Sequence, residues 1–217
     1  MAHSKLLSSE MTASLKKQFD KVFLQLHEFG FLLLTDPSLP SVSRFVADAP
    51  VRGSWWSHKN AQQIFAVSEM LEDHADVLIV KLISEKVTFV HRELWGHVYS
   101  IGVAREDWQL KDLTPGAKQL LETLDAEGCL QTDKLKKFGP KPGEAARELE
   151  RRLLLHANQI HTESGAHAKV IETWGTWAER AGFRARANSP ATSRRFFEQR
   201  LGEINASFGG KGRLPWL

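Results

Sequence analysis

The sequence predicts an α+β fold, mainly helical, with two β-hairpins. Three observations predict it. Apolar residues recur at three- and four-residue spacing along most of the chain. Two stretches, residues 76–91 and 154–174, instead collect strand formers on either side of a short polar turn. Glycine and proline fall between these segments rather than inside them.

The elements follow in order. Residues 9–29 read as an amphipathic helix, with Leu15, Phe19, Val22, Phe23, Leu26 and Phe29 on one face and Lys16, Lys17, Asp20 and Lys21 on the other. Gly30 ends it. A proline-rich turn spans residues 36–40, Ser41 caps a short helix over 42–49, and 50–53 break the chain. Residues 60–74 read as a helix with Ile64, Val67, Met70 and Leu71 inward. The first hairpin pairs 77–83 with 87–90 around a turn at 84–86. Residues 92–103 are expected to be helical, with Leu94, Trp95, Val98 and Ile101 packing. On that helix Glu93 and His97 would share a face.

Residues 113–174 are more specific. Thr114 suits a helix cap and Pro115 the first helical position, where its missing N–H costs nothing. Leu120, Leu121 and Leu124 share a face, and Gly128 closes the helix. Thr132 caps a second helix over 133–138, and Gly139, Pro140, Pro142 and Gly143 form a turn. A third helix over 144–153 turns Ala145, Ala146, Leu149 and Leu153 inward. Its outer face reads as Arg147, Glu148, Glu150, Arg151 and Arg152. Strands at 154–161 and 166–174 flank a turn at 162–165. A short helix over 174–182, a linker at 187–190, a helix over 192–208 and a flexible tail at 209–217 complete the chain.

The order helix, helix, helix, hairpin resembles a winged helix-turn-helix domain over residues 113–174. The resemblance implies that 144–153 is the recognition helix and the hairpin tip at 163–167 the wing. Glu144, Glu148 and Glu150 depart from the pattern, because phosphates repel carboxylates. They shift the expected contacts toward the hairpin tip and the arginines beyond Trp177. Residues 1–104 also run helices first and a hairpin late, which fits either a tandem winged helix or an α+β platform. The expected domains are an N-terminal unit over 1–104, a winged helix over 105–182, and a C-terminal helix with a basic tail over 183–217.

Charge distribution points the same way. The net charge is only +3. Residues 1–104 hold ten Lys/Arg against eleven Asp/Glu and 105–140 hold six against seven, while 141–217 hold thirteen against eight. The positive excess therefore lies wholly in the last third and is mostly arginine, the side chain suited to bidentate phosphate contacts. The expected nucleic-acid contacts are Arg147, Arg151, Arg152, His161, His167, Lys169, Arg184, Arg186, Arg194 and Arg195. The alternative is a solvated basic surface.

Gly53-Ser54-Trp55-Trp56-Ser57-His58-Lys59 is the most unusual string. It reads first as a loop that plugs the core with both indoles. In the second reading Trp55 or Trp56 is exposed beside His58 and Lys59 and stacks on a base. Those residues, with 87–95 and 161–174, also prompt a whole-chain resemblance to bacterial proteins related to AlkZ-type DNA glycosylases. Such glycosylases use a Gln-x-Gln motif, absent here; the nearest string is Gln25-Leu26-His27. The resemblance therefore implies DNA binding more than glycosylase chemistry.

No phosphate loop, nucleophile elbow or zinc-protease motif occurs, and no catalytic residue is assigned. His156, His161 and His167 with Glu163 match no zinc spacing, so no metal and no cofactor are expected. A single cysteine, Cys129, excludes an internal disulfide and suits a reducing compartment. Residues 1–10 show no signal-peptide pattern, and the apolar run at 31–34 is too short to span a bilayer. The sequence thus reads as a cytoplasmic DNA-binding protein, with a DNA-repair enzyme or a protein-interaction module as alternatives.

Overall fold

A computed structural model describes residues 2–131, 142–161, 167–184 and 188–217; the side chains of 2–11, 142, 159–161, 167 and 168 lie outside the description. The predicted helix at 133–138, the turn at 162–165 and Arg186 are not among the described residues. The fold is mixed helix and sheet, as expected, and the chain forms two compact units. One comprises residues 1–79, 86–94 and 200–212; the other comprises 80–85, 95–199 and 213–217.

In the first unit α1 (Ala2–Phe29) turns at Gly30 into β1 (Phe31–Leu33). Gly30 has φ +79, and a Cβ there would meet Leu94 Cδ1 at 2.5 Å, so both backbone and space favour glycine. Asp36 Oδ1 accepts from the amides of Ser38 and Leu39, and its Oδ2 holds Lys86 at 2.7 Å, fixing the turn that sequence had marked by its prolines. Ser41 caps α2 (Val42–Ala47) as predicted, accepting from the Arg44 amide. Then come a 3-10 turn (Trp55–Ser57), α3 (Ala61–Glu72), β2 (Val77–Ile83) and β3 (Lys86–His91). The core joins Val22 and Leu26 of α1 to Leu32, Val42, Ile64, Val67, Leu71 and Phe89.

A 3-10 turn (Arg92–Leu94) follows β3 in the first unit, and the second unit continues with α4 (Trp95–Gly102), α5 (Asp107–Leu110) and α6 (Pro115–Glu127). Glu93 therefore precedes α4 instead of sharing a helical face with His97, which corrects the expected pair. Thr114 accepts from the Ala117 amide, Pro115 opens α6, and Gly128 at φ +75 ends it. β4 (Cys129–Gln131), α7 (Pro142–Arg151), β5 (His156–His161), β6 (His167–Glu172), α8 (Trp174–Arg180) and α9 (Pro190–Phe208) complete the order. Leu120, Leu121 and Leu124 pack with Ala145, Ala146, Leu149, Leu154, Leu155 and Ile171.

The two sheets share one connectivity. The first has the order β1-β3-β2 and the second β4-β6-β5. In each, a three-residue strand after a helix pairs antiparallel with the last strand of the later hairpin. Phe31 opposes Val90, and Cys129 opposes Glu172. Neither short strand is predicted by the sequence, since three residues carry no readable alternation.

The predicted flexible tail is ordered. A Cβ on Gly210 would overlap Leu39, and Asn205 holds both the amide and the carbonyl of Gly212. Leu214 is 3% exposed, and the Trp216 indole donates to Glu198 at 2.8 Å. Aromatic and aliphatic anchors, not glycine content, decide that segment. Among the described residues no helix is long and apolar enough to cross a membrane.

Gly102 gives a direct test of packing. A Cβ there would overlap the Trp174 ring, which cannot retreat freely because its Nε1–H donates to Leu153 O at 2.7 Å. Gly102→Ala should therefore destabilise the protein by about 2 kcal/mol, seen as a lower urea midpoint. An unchanged midpoint would show that the indole can move aside.

Candidate nucleic-acid interface

The acids on α7 determine what this helix presents. Glu148 turns back to α6, accepting from the Thr114 amide at 3.1 Å and its hydroxyl at 2.6 Å. Glu150 is buried and held by Lys169 at 2.8 Å and Lys81 at 3.4 Å. The exposed stripe is Glu144, Arg147 and Arg151, at helical spacing. The sequence reading had placed Glu148 and Glu150 on the outer face. The structure removes both from it, because each satisfies a donor on a neighbouring element.

The predicted basic contacts divide accordingly. Arg147, Arg184 and Arg195 are exposed and make no ion pair among the described residues. Arg151 is exposed and pairs with Glu85 at 3.2 Å. Arg152 instead donates to the carbonyls of Trp108, Gln109 and Lys111, closing the C-terminal end of α5. Lys169 neutralises Glu150, and Arg194 pairs with Glu106 at 3.1 Å. His161 and His167 oppose each other in the β5–β6 register.

Arg151 and Arg152 also line a cleft of about 420 Å³ with Lys111, Glu85, Asp112 and Glu148. Three cations against three carboxylates leave no net field to draw in a polyanion.

In the first unit the paired tryptophans separate by burial. Trp55 is 8% exposed and joins the core, whereas Trp56 is 62% exposed. Their rings stack at 3.8 Å between centroids, and Trp56 continues to Phe65 at 5.7 Å, itself 43% exposed. The reading in which both indoles plug the core is thus corrected: one anchors and the other is presented. Arg52 and Lys59 beside them are exposed. His58 is half-buried, with Nδ1 accepting from the Asn60 amide at 3.2 Å.

The remaining histidines named by the sequence are buried or half-buried in the fold. Burial holds the imidazoles of His91 and His97 below the ordinary histidine range. His97 lies face to face with Phe196 at 4.3 Å and bonds Ser193. His156 is buried against Glu172 at 2.9 Å, where Arg180 adds two hydrogen bonds. Burial pushes the Glu172 carboxyl up, but the bonds from His156 and Arg180 outweigh it and hold the group at about 2. The arrangement is a buried structural network, not an exposed metal or phosphate site.

The chain is of the mixed α+β fold class, with two three-stranded sheets of identical connectivity. Its family is defined by comparison: the family described as AlkZ related matches residues 16–209, and the chain belongs to it. No curated protein and no solved structure matches.

The Glu172 network sets an acid limit. A carboxyl lowered from 4.5 to about 2 stabilises the fold fully above its ordinary value, and that contribution is lost as pH falls from 4.5 toward 2. The loss amounts to about 3 kcal/mol for this group. Glu172→Gln should lower stability at neutral pH and flatten the acid limb of the stability profile, measured by urea denaturation. An unchanged acid limb would remove Glu172 from the account.

Proposed function

We propose that this protein binds duplex DNA through two winged-helix-like units, mainly by sequence-tolerant contacts to the phosphate backbone. The observation that carries the reading is the sorting of charge on α7. Of its three acids, Glu148 and Glu150 are engaged by neighbouring elements, while Glu144, Arg147 and Arg151 remain outward. Membership of the AlkZ-related family supports a DNA-directed role. The shared connectivity of the two sheets supports the tandem reading, with α3 and α7 as the corresponding third helices. Arg184 and Arg195 add exposed charge, and Trp56 offers a face for base stacking.

This assignment replaces Arg152 and Arg194 as leading contacts. Both are engaged within the fold, so removing them tests stability before it tests binding.

The second reading is a DNA-repair enzyme, favoured by the family and by the exposed Trp56. No Gln-x-Gln string is present to supply the chemistry of AlkZ-type glycosylases. Incubation with alkylated or abasic duplex should give binding without strand scission; scission above background would move the assignment to the enzyme.

Affinity for duplex DNA should fall steeply with salt, by a log–log slope of about 0.9 per phosphate neutralised. Arg147→Ala with Arg151→Ala should reduce that slope by about 2 if each meets one phosphate. Fluorescence anisotropy at several salt concentrations measures both. Negligible binding at low salt, or an unchanged slope in the double variant, overturns the proposal.

A further inference from the structure

We propose that His27, His91 and Glu93 form a binding site for a divalent transition metal, with zinc as the best-fitting ion. The three residues each place one donor atom within 4.8 Å of the others. His27 Nε2 lies 3.5 Å from one Glu93 carboxylate oxygen, and His91 Nδ1, which also accepts a long 3.5 Å hydrogen bond from the Glu93 amide that a metal would displace, lies 3.7 Å from the other. Bonds of about 2.1 Å to a tetrahedral ion put neighbouring donors about 3.4 Å apart. The two histidine–carboxylate separations exceed this by little, and the exposed His27 and Glu93 side chains must move inward to close the wider spread of up to 4.8 Å across the three donors.

The donors come from different elements, and the backbone holds them together. His27 sits in the last turn of α1, His91 ends β3, and Glu93 lies in the 3-10 turn that follows. The His91 amide donates to Gly30 O at 2.9 Å, tying the end of β3 to the end of α1. Leu94 packs where a Cβ on Gly30 would stand, which keeps the turn bearing Glu93 against the same corner. The His91 ring is buried and meets the His27 ring edge-on with centroids 4.8 Å apart, while the Phe23 ring stands edge-to-face to it with centroids 5.7 Å apart. His74, whose Nδ1 accepts from the Asp76 amide, stands outside the set.

The donor chemistry selects the ion. Two imidazoles and one carboxylate disfavour magnesium and calcium, which take oxygen, and suit zinc and its neighbours. Three protein ligands leave a fourth position. Because the His27 and Glu93 side chains are 54% and 66% exposed, that position faces water. An open fourth position distinguishes this arrangement from a closed structural site with four protein ligands. Sequence missed it because His27 lies far from the His91–Glu93 pair and no short spacing joins them.

The test uses the full chain, prepared free of metal and titrated with Zn²⁺ by calorimetry, and with Co²⁺ by visible absorption. One equivalent of Zn²⁺ should bind and raise the thermal midpoint, and Co²⁺ should give the intense bands of a tetrahedral site. His27→Ala and Glu93→Gln should each weaken Zn²⁺ binding by more than about tenfold, since loss of outer-shell groups alone costs that much. Both side chains are largely exposed, so the metal-free midpoint should not move. A His161→Ala/His167→Ala variant controls for the histidines opposed across β5 and β6 and should bind as the wild type does. No Zn²⁺ binding, binding unchanged in His27→Ala or Glu93→Gln, or binding lost only in the His161/His167 variant overturns the proposal.

Discussion

Each unit depends on antiparallel pairing between a three-residue strand and the last strand of a distant hairpin. β1 meets β3, and β4 meets β6, so the final strand of each sheet becomes its middle strand. The constraint is non-local. Residues between Phe31 and Val90 must fold back before the pairing forms, and so must those between Cys129 and Glu172. The helices carried in those intervals are thereby closed over one face of each sheet, where Phe89 and Ile171 are fully buried. In the second unit the same strand end carries Glu172, whose carboxylate is satisfied by His156 and Arg180. Polar pairing and apolar burial thus meet at one position of the backbone.

Charge is organised by the same logic. The last third of the chain is rich in arginine, but its arginines do different work. Arg152 closes α5, Arg180 satisfies Glu172, and Arg200 donates to the carbonyls of Glu28 and Phe29 at the end of α1. These groups complement helix ends and buried carboxylates, where a fixed cation is most effective. Arg147, Arg184 and Arg195 remain outside such arrangements among the described residues. A basic composition is therefore only partly a basic surface, and engagement of Glu148 and Glu150 by neighbouring elements sharpens the part that remains.

Locally encoded features were legible. Thr114, Pro115 and Gly128 announced α6, Ser41 announced α2, and the apolar spacing of Ile64, Val67 and Leu71 announced α3. These signals work because caps and helical faces involve residues a few positions apart. β1 and β4 were not legible, since each exists only through its distant partner. The direction of Glu148 and Glu150 was hidden for a related reason: Thr114, Lys81 and Lys169 decide it, and none is on α7. The tail looked flexible by its glycines, yet Leu214 and Trp216 anchor it. For the candidate interface, residue types were readable from composition, while their division into outward and engaged groups required the fold.

The Trp55–Trp56 stack has a consequence of another kind. Two indoles held nearly parallel at 3.8 Å share their excited states. Their coupled transitions add a pair of dichroic lobes of opposite sign to the helical spectrum in the ultraviolet. Parting the rings erases that signal, whether by unfolding or by a flat molecule sliding against Trp56. The chain therefore carries its own optical reporter at a place where a large aromatic surface meets solvent.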